Sequence, residues 1–94
     1  MEIIREIDKE GRIRLDPDLL ELCGIAKKTK VAICKINSNK LSIRKLESIE
    51  GYKVISCKTI DEKGRIIIPH EIRKGVQKFE VYYLDGNLIL EEAH

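Results

Sequence analysis

Tryptophan is absent from this 94-residue chain, and three Tyr and one Phe are its only aromatic residues. The core must therefore be aliphatic. No apolar run approaches the ~20 residues of a membrane span. The N-terminal stretch MEIIREIDKEG is charged throughout and has no apolar segment of the signal-peptide kind. A cytoplasmic location and no membrane partner are the expectation. Bulk charge of one sign is also missing: formal net charge is +2 although 36% of residues are charged. Any polyanion site must come from local clustering of Lys and Arg. The three cysteines, Cys23, Cys34 and Cys57, form no C-x-x-C pair and no ligand-spaced set. An odd count at wide spacing reads as reduced, mostly buried thiols of an intracellular protein. His70 and His94 lack ligand spacing, so no metal is expected. No Ser/His/Asp or Cys/His set and no Gly-rich phosphate loop is present. The chain reads as a non-enzyme with no catalytic residues and no cofactor. Its length fits one domain, whose core buries roughly 60–70% of the surface exposed by the unfolded chain.

What the chain does contain is an internal repeat. Glu6-Ile7-Asp8-Lys9-Glu10-Gly11-Arg12-Ile13-Arg14-Leu15 aligns with Thr59-Ile60-Asp61-Glu62-Lys63-Gly64-Arg65-Ile66-Ile67-Ile68, at an offset of 53 residues. Gly24-Ile25 then aligns with Gly75-Val76, and Leu41-Ser42-Ile43 with Leu88-Ile89-Leu90. We divide the single domain, residues 1–94, into repeat one (2–46), a connector (47–53) and repeat two (54–92).

Each repeat reads as β-β-α-β-β. A first strand around Ile3 to Ile7 ends at Asp8-Lys9-Glu10-Gly11, where glycine reverses the chain. Arg12-Ile13-Arg14-Leu15 alternates, which puts Ile13 and Leu15 inside and both arginines outside. Asp16-Pro17 supplies a helix N-cap and a proline at the first helical position. Leu19, Leu20, Leu22 and Cys23 form the apolar stripe, and Gly24 stands at the C-cap. Strands near Val31–Ile36 and Lys40–Lys45 follow, joined at Asn37-Ser38-Asn39. The second repeat has Pro69 at the head of a short helical turn and reverses its last hairpin at Asp85-Gly86. Tyr82 and Tyr83 point to opposite faces, one ring inward and one outward. Asp16 and Asp18 read as helix-capping acids. One such unit has open strand edges and too little core to stand alone. Two copies about a pseudo-two-fold axis bury both apolar faces and pair those edges. The fold class is mainly β, a small α+β domain closed as a six- to eight-stranded barrel.

Val54 to Lys74 carries the pattern D-x-x-G-R-I-x-I-P-x-E-[LI]-R, present as Asp61, Gly64-Arg65-Ile66, Ile68-Pro69, Glu71 and Ile72-Arg73. This segment resembles the DNA-binding domain of AbrB-type transition-state regulators and the related SpoVT and MazE antitoxin domains. The first repeat keeps Asp8, Gly11, Arg12 and Ile13. It has Asp16 in place of the family's proline and Leu20-Glu21 where the family often has paired arginines. In that family two chains interleave hairpins, so this chain resembles a fused, single-chain version. The resemblance implies a cradle-loop barrel of swapped-hairpin or RIFT type, either a monomer or a weak homo-oligomer.

The resemblance also implies a DNA-binding transcriptional regulator, gripping its partner DNA with Arg65, Arg73 and Lys74, with Lys58 before the loop, and with Arg5 and Arg12 in the first repeat. Arg14 is a further outward basic residue. Arginine suits this work because its planar fork pairs with phosphates or guanine edges bidentately. A competing reading gives Arg12 and Arg65 a structural task, pairing with Asp8 or Asp61 to fix each hairpin. The alternative function is a non-enzymatic protein-interaction or ligand-binding barrel module that does not bind DNA.

Overall fold

Residues 2–94 are described by a computed structural model, with side chains described from residue 3. Eight strands and two short helices follow in chain order: β1 (Glu2–Glu6), β2 (Arg12–Arg14), α1 (Pro17–Leu22), β3 (Lys30–Asn37), β4 (Lys40–Lys45), β5 (Lys53–Thr59), β6 (Arg65–Ile67), α2 (His70–Arg73), β7 (Lys78–Leu84) and β8 (Asn87–Ala93). A 3₁₀ turn, Leu46–Ser48, opens the connection from β4 to β5. Asp16 caps α1, its side chain accepting from the Asp18 N–H at 2.9 Å. Pro69 is the N-cap of α2, one place earlier than the first helical position its sequence suggests. Among the described residues no helix is long and apolar enough to cross a membrane.

The domain is mainly β and antiparallel. Six strands form one sheet in the order β1-β7-β8-β4-β3-β5, and β2 pairs with β6 in a separate ribbon. The order is a palindrome once corresponding strands of the two repeats are exchanged. Each repeat's first strand leaves its own unit: β1 pairs with β7 and β5 with β3. The last strands, β4 and β8, meet each other, with Ser42 opposite Ile89. In the ribbon Ile13 stands opposite Ile66. Both pairs join equivalent positions, so the pseudo-two-fold axis passes through them.

The end strands β1 and β5 are not hydrogen-bonded to each other, so the sheet itself is not closed. The ribbon lies between those edges. Asp8 N–H donates to Arg12 O and Asp61 N–H to Arg65 O, both at 2.9 Å. Leu15 N–H donates to Gly64 O at 2.8 Å, and the equivalent Ile68 N–H donates to Gly11 O at 2.9 Å. Each repeat thus satisfies backbone groups of the other, which would otherwise be buried without partners.

The core fills the space between the sheet's inner face, the ribbon and α1. Ile13, Leu15, Leu19, Ile60, Ile68, Phe79, Val81, Leu88 and Leu90 are fully buried. Alternation holds in the short strands: Ile13 and Ile66 are buried while Arg14 and Ile67 are exposed. β3 departs from it, because Ala32 and Cys34 are buried as well as Val31 and Ile33. Tyr82 and Tyr83 alternate faces, yet neither ring enters the core. Tyr82 donates to Glu91 Oε1 at 2.9 Å, and Tyr83 is 39% exposed near the end of its strand. Cys34 is buried and Cys23 half-buried, and burial pushes both thiols up from their ordinary range. Cys57 corrects the expectation of mostly buried thiols. It is exposed, because it stands opposite Ala32 on the outer face of the edge strand β5.

Candidate nucleic-acid interface

The two Asp-x-x-Gly-Arg loops have nearly the same internal geometry. In the first, Asp8 Oδ1 accepts from the backbone N–H of Glu10 at 3.0 Å and of Arg12 at 2.8 Å, while Oδ2 accepts from Arg12 Nε at 2.9 Å. In the second, Asp61 Oδ1 accepts from Lys63 N–H at 2.9 Å and Arg65 N–H at 2.8 Å, and Oδ2 from Arg65 Nε at 2.8 Å. An aspartate bonding to the backbone two and four residues on forms the turn locally, without help from the rest of the fold. Gly11 and Gly64 both take φ of +80°, which a residue with a Cβ adopts only under strain.

Electrostatics follows the geometry. The backbone N–H of Arg12, with its guanidinium and the Glu10 N–H in support, holds the Asp8 carboxyl below the usual range against the opposing effect of desolvation. The Arg65 N–H does the same for Asp61. The hydrogen bond to Asp8 raises Arg12 further above its ordinary value. The loops differ in one respect. Arg12 also reaches Glu10 Oε2 at 3.2 Å, whereas Lys63 occupies the corresponding position in the second loop. Among the described residues Arg65 has a single acidic partner, Asp61.

The ribbon brings Arg12, Arg14 and Arg65 onto one outward face. Arg14 stands directly opposite Arg65, and Arg12 opposite Ile67, itself 45% exposed. Arg14 is exposed and forms no ion pair among the described residues. The other sequence candidates are placed elsewhere. Arg5 stands opposite Phe79 and Lys58 opposite Val31, so both share the core face of their strands and are half-buried there. Arg5 reaches Asp16 Oδ2 at 3.6 Å, and its buried Nε has no acceptor among the described residues. Arg73 donates through Nε to Ile68 O at 2.9 Å and lies against the first loop. Lys74 is exposed as the C-cap of α2.

The loop aspartates were visible in the sequence as possible partners of the arginines. The Arg14–Arg65 juxtaposition was not, because it depends on the register of two strands far apart in the chain.

The chain matches no known family profile and no curated protein. Among solved structures it is similar to the solution structure of PHS018 from Pyrococcus horikoshii, with a TM-score of 0.52 and 18% identity over 99% of this chain and 94% of that one. A likeness at this identity is one of fold.

Proposed function

We propose that this chain is a single-chain cradle-loop barrel, of swapped-hairpin or RIFT type, that binds duplex DNA through the outward face of its β2–β6 ribbon. In this reading the ribbon and its two Asp-x-x-Gly-Arg loops complete the barrel that the six-stranded sheet leaves open. The observation that carries the proposal is the pair Arg14 and Arg65, facing one another beside the pseudo-two-fold axis on an exposed two-stranded ribbon. Like charges directly opposite on a sheet repel, and a phosphate between them turns that repulsion into attraction. A two-stranded ribbon also fits the width of a DNA major groove.

Asp8 and Asp61 orient the guanidinium groups of Arg12 and Arg65 and stiffen the platform, so they support binding while neutralising part of its charge. With few free cations the grip is modest. About two or three phosphates are engaged, and the affinity falls with salt at a log–log slope of roughly −2 to −3. The AbrB resemblance of residues 54–74 supports the same partner and adds a role in transcriptional regulation. The proposed activity is binding, with no catalytic step.

The test is fluorescence anisotropy of a labelled mixed-sequence duplex at about 50 and 200 mM salt, with wild type, Arg14→Glu and Lys74→Ala. The reading expects salt-sensitive binding that Arg14→Glu abolishes and Lys74→Ala largely keeps. Absence of binding at the lower salt, or full binding by Arg14→Glu, sinks the ribbon as the DNA face.

A further inference from the structure

The two repeats seal their ends of the core differently, and the difference leaves a cleft. α1 has six residues and buries Leu19 and Leu20. The corresponding positions in α2 are Ile72 and Arg73, and α2 has only four residues, none of them fully buried. Ile72 is half-buried, and Arg73 turns away to the first glycine loop. Between α2, the start of β5 and the β3–β4 hairpin lies a cleft of ≈ 360 Å³. That volume is within the range of small-molecule sites.

The cleft is apolar below and charged at its rim. Leu41, Ile55 and Ile72 line its base, backed by Phe79. Lys35, Lys40 and Lys53 stand around it, together with Glu71 and Glu92. Lys35 and Lys53 are directly opposite one another across β3 and β5. Neither forms an ion pair among the described residues, whereas Lys40 leans on Glu91 Oε1 at 3.8 Å. Two unpaired ammonium groups facing each other across a ladder cost stability unless an anion lies between them. The Asn37–Asn39 tip that forms one wall is held in place, since Asn39 N–H donates to Asn37 Oδ1 at 3.0 Å and Glu92 N–H to Asn39 O at 2.9 Å.

We propose that this cleft binds a small amphiphilic monoanion, its carboxylate between Lys35 and Lys53 and its apolar body on Leu41, Ile55 and Ile72. With Lys40 paired to Glu91, the two unpaired lysines offer one carboxylate two ammonium partners, while Glu71 and Glu92 on the same rim disfavour polyphosphates. The proposal is independent of DNA binding, because the β2–β6 ribbon contributes no residue to the cleft.

The experiment is an amide NMR titration of the full chain with octanoate, octylammonium and inorganic phosphate, each alone. Octanoate should give saturable shifts confined to Lys35, residues 37–41, Lys53, Ile55 and Ile72. Phosphate lacks the apolar body and octylammonium has the wrong charge, so both should give little. The double variant Lys35→Gln/Lys53→Gln removes only side chains on strand surfaces and should keep the native spectrum while weakening octanoate about tenfold. Ile72→Trp should fill the base and abolish binding. Equal binding of octylammonium, unchanged affinity in the double variant, or shifts centred on the exposed Ile36 and Leu84 of the outer face would overturn the proposal.

Discussion

The guanidinium of Arg73 lies directly over Gly11, so close that a Cβ on that glycine would sit 2.6 Å from the arginine's Cζ. The equivalent relationship in the other half joins Leu20 and Gly64, where the leucine Cδ1 would be 4.0 Å away and the Leu15 carbonyl oxygen 3.2 Å. Each short helix therefore reaches across to the glycine loop of the opposite repeat. Repeat two makes this contact with a cation and repeat one with an aliphatic side chain. Leu20 is 3% exposed, so it serves the core in a place where the resembled family often has arginine. Compared with Arg73 in repeat two, Leu20 gives repeat one no cation at that end of the domain and seals it.

Gly11→Ala should destabilise the fold by about 1–2 kcal/mol from the φ of +80° alone. The clash with Arg73 should add to this. In an Arg73→Ala background the steric part disappears and the backbone part remains, so the two substitutions are non-additive. Gly64→Ala meets a backbone carbonyl, and its cost should be the same in either background. Urea unfolding of the two double-mutant cycles measures both.

Acid should loosen the domain through its two loops. Asp8 and Asp61 have folded pKa values below the unfolded one, so the native state binds these protons less readily than the unfolded chain. Their stabilisation is complete above the unfolded value of about 3.9 and is lost as pH falls through the lower folded values. The urea midpoint should therefore decline below about pH 4. Asp8→Asn/Asp61→Asn should flatten that acid limb, and an unaltered limb would assign the acid sensitivity to other carboxylates.

Ile13 and Ile66 meet on the pseudo-two-fold axis with 0% and 1% exposure. Ile13→Ala should cost about 2–5 kcal/mol, because the cavity forms between two elements that cannot both collapse onto it. Ile67→Ala, on the exposed side of the same ribbon, should change stability by no more than about 0.5 kcal/mol. Chemical denaturation of both variants separates core from surface on one strand pair.

Arg12 and Arg14 should behave differently although they are two residues apart. Arg12→Ala removes the partner of Asp8 and Glu10 and should lower Tm. Arg14→Ala touches no ion pair and should leave Tm unchanged while weakening DNA binding. Thermal melts beside anisotropy titrations test the division. A Tm loss with Arg14→Ala would give that residue a structural role.

Thiol reactivity should rank the cysteines. Cys57 is exposed and should react with a disulfide reagent at once in the native protein. Cys34 is fully buried with its thiol held up by desolvation, so it should react only when the chain opens. Half-buried Cys23 should fall between. Mass spectrometry of peptides at timed quench points gives the order.

Local features were legible because local physics makes them. The Asp-x-x-Gly-Arg turns close through hydrogen bonds spanning two to four residues, the Asp16 cap needs only Asp18, and alternation in Arg12 to Leu15 predicts which side chains go inside. The two-copy pattern was legible too, since aligned residues need no coordinates. Pairing between copies was not. Whether β1 joins β2's own unit or crosses to β7 depends on which long-range arrangement buries both apolar faces, and no local spacing encodes that.

The same limit governed the basic residues. Sequence offered seven candidates, led by Arg65, Arg73 and Lys74 with Arg14 as an extra, and three-dimensional register rearranged them: Arg5 and Lys58 to the core face, Arg73 onto Gly11, and Arg14 beside Arg65. A guanidinium's availability depends on what lies within about 4 Å of it, and those neighbours come from other parts of the chain. By itself, then, the sequence determined the repeat, the turns, the Asp16 cap and the aliphatic core, all set by interactions between near neighbours or by periodicity. Tertiary structure alone decided strand exchange, the arginine-faced ribbon and the lysine-rimmed cleft, because each arises where segments distant in the chain are brought side by side by burial of apolar surface.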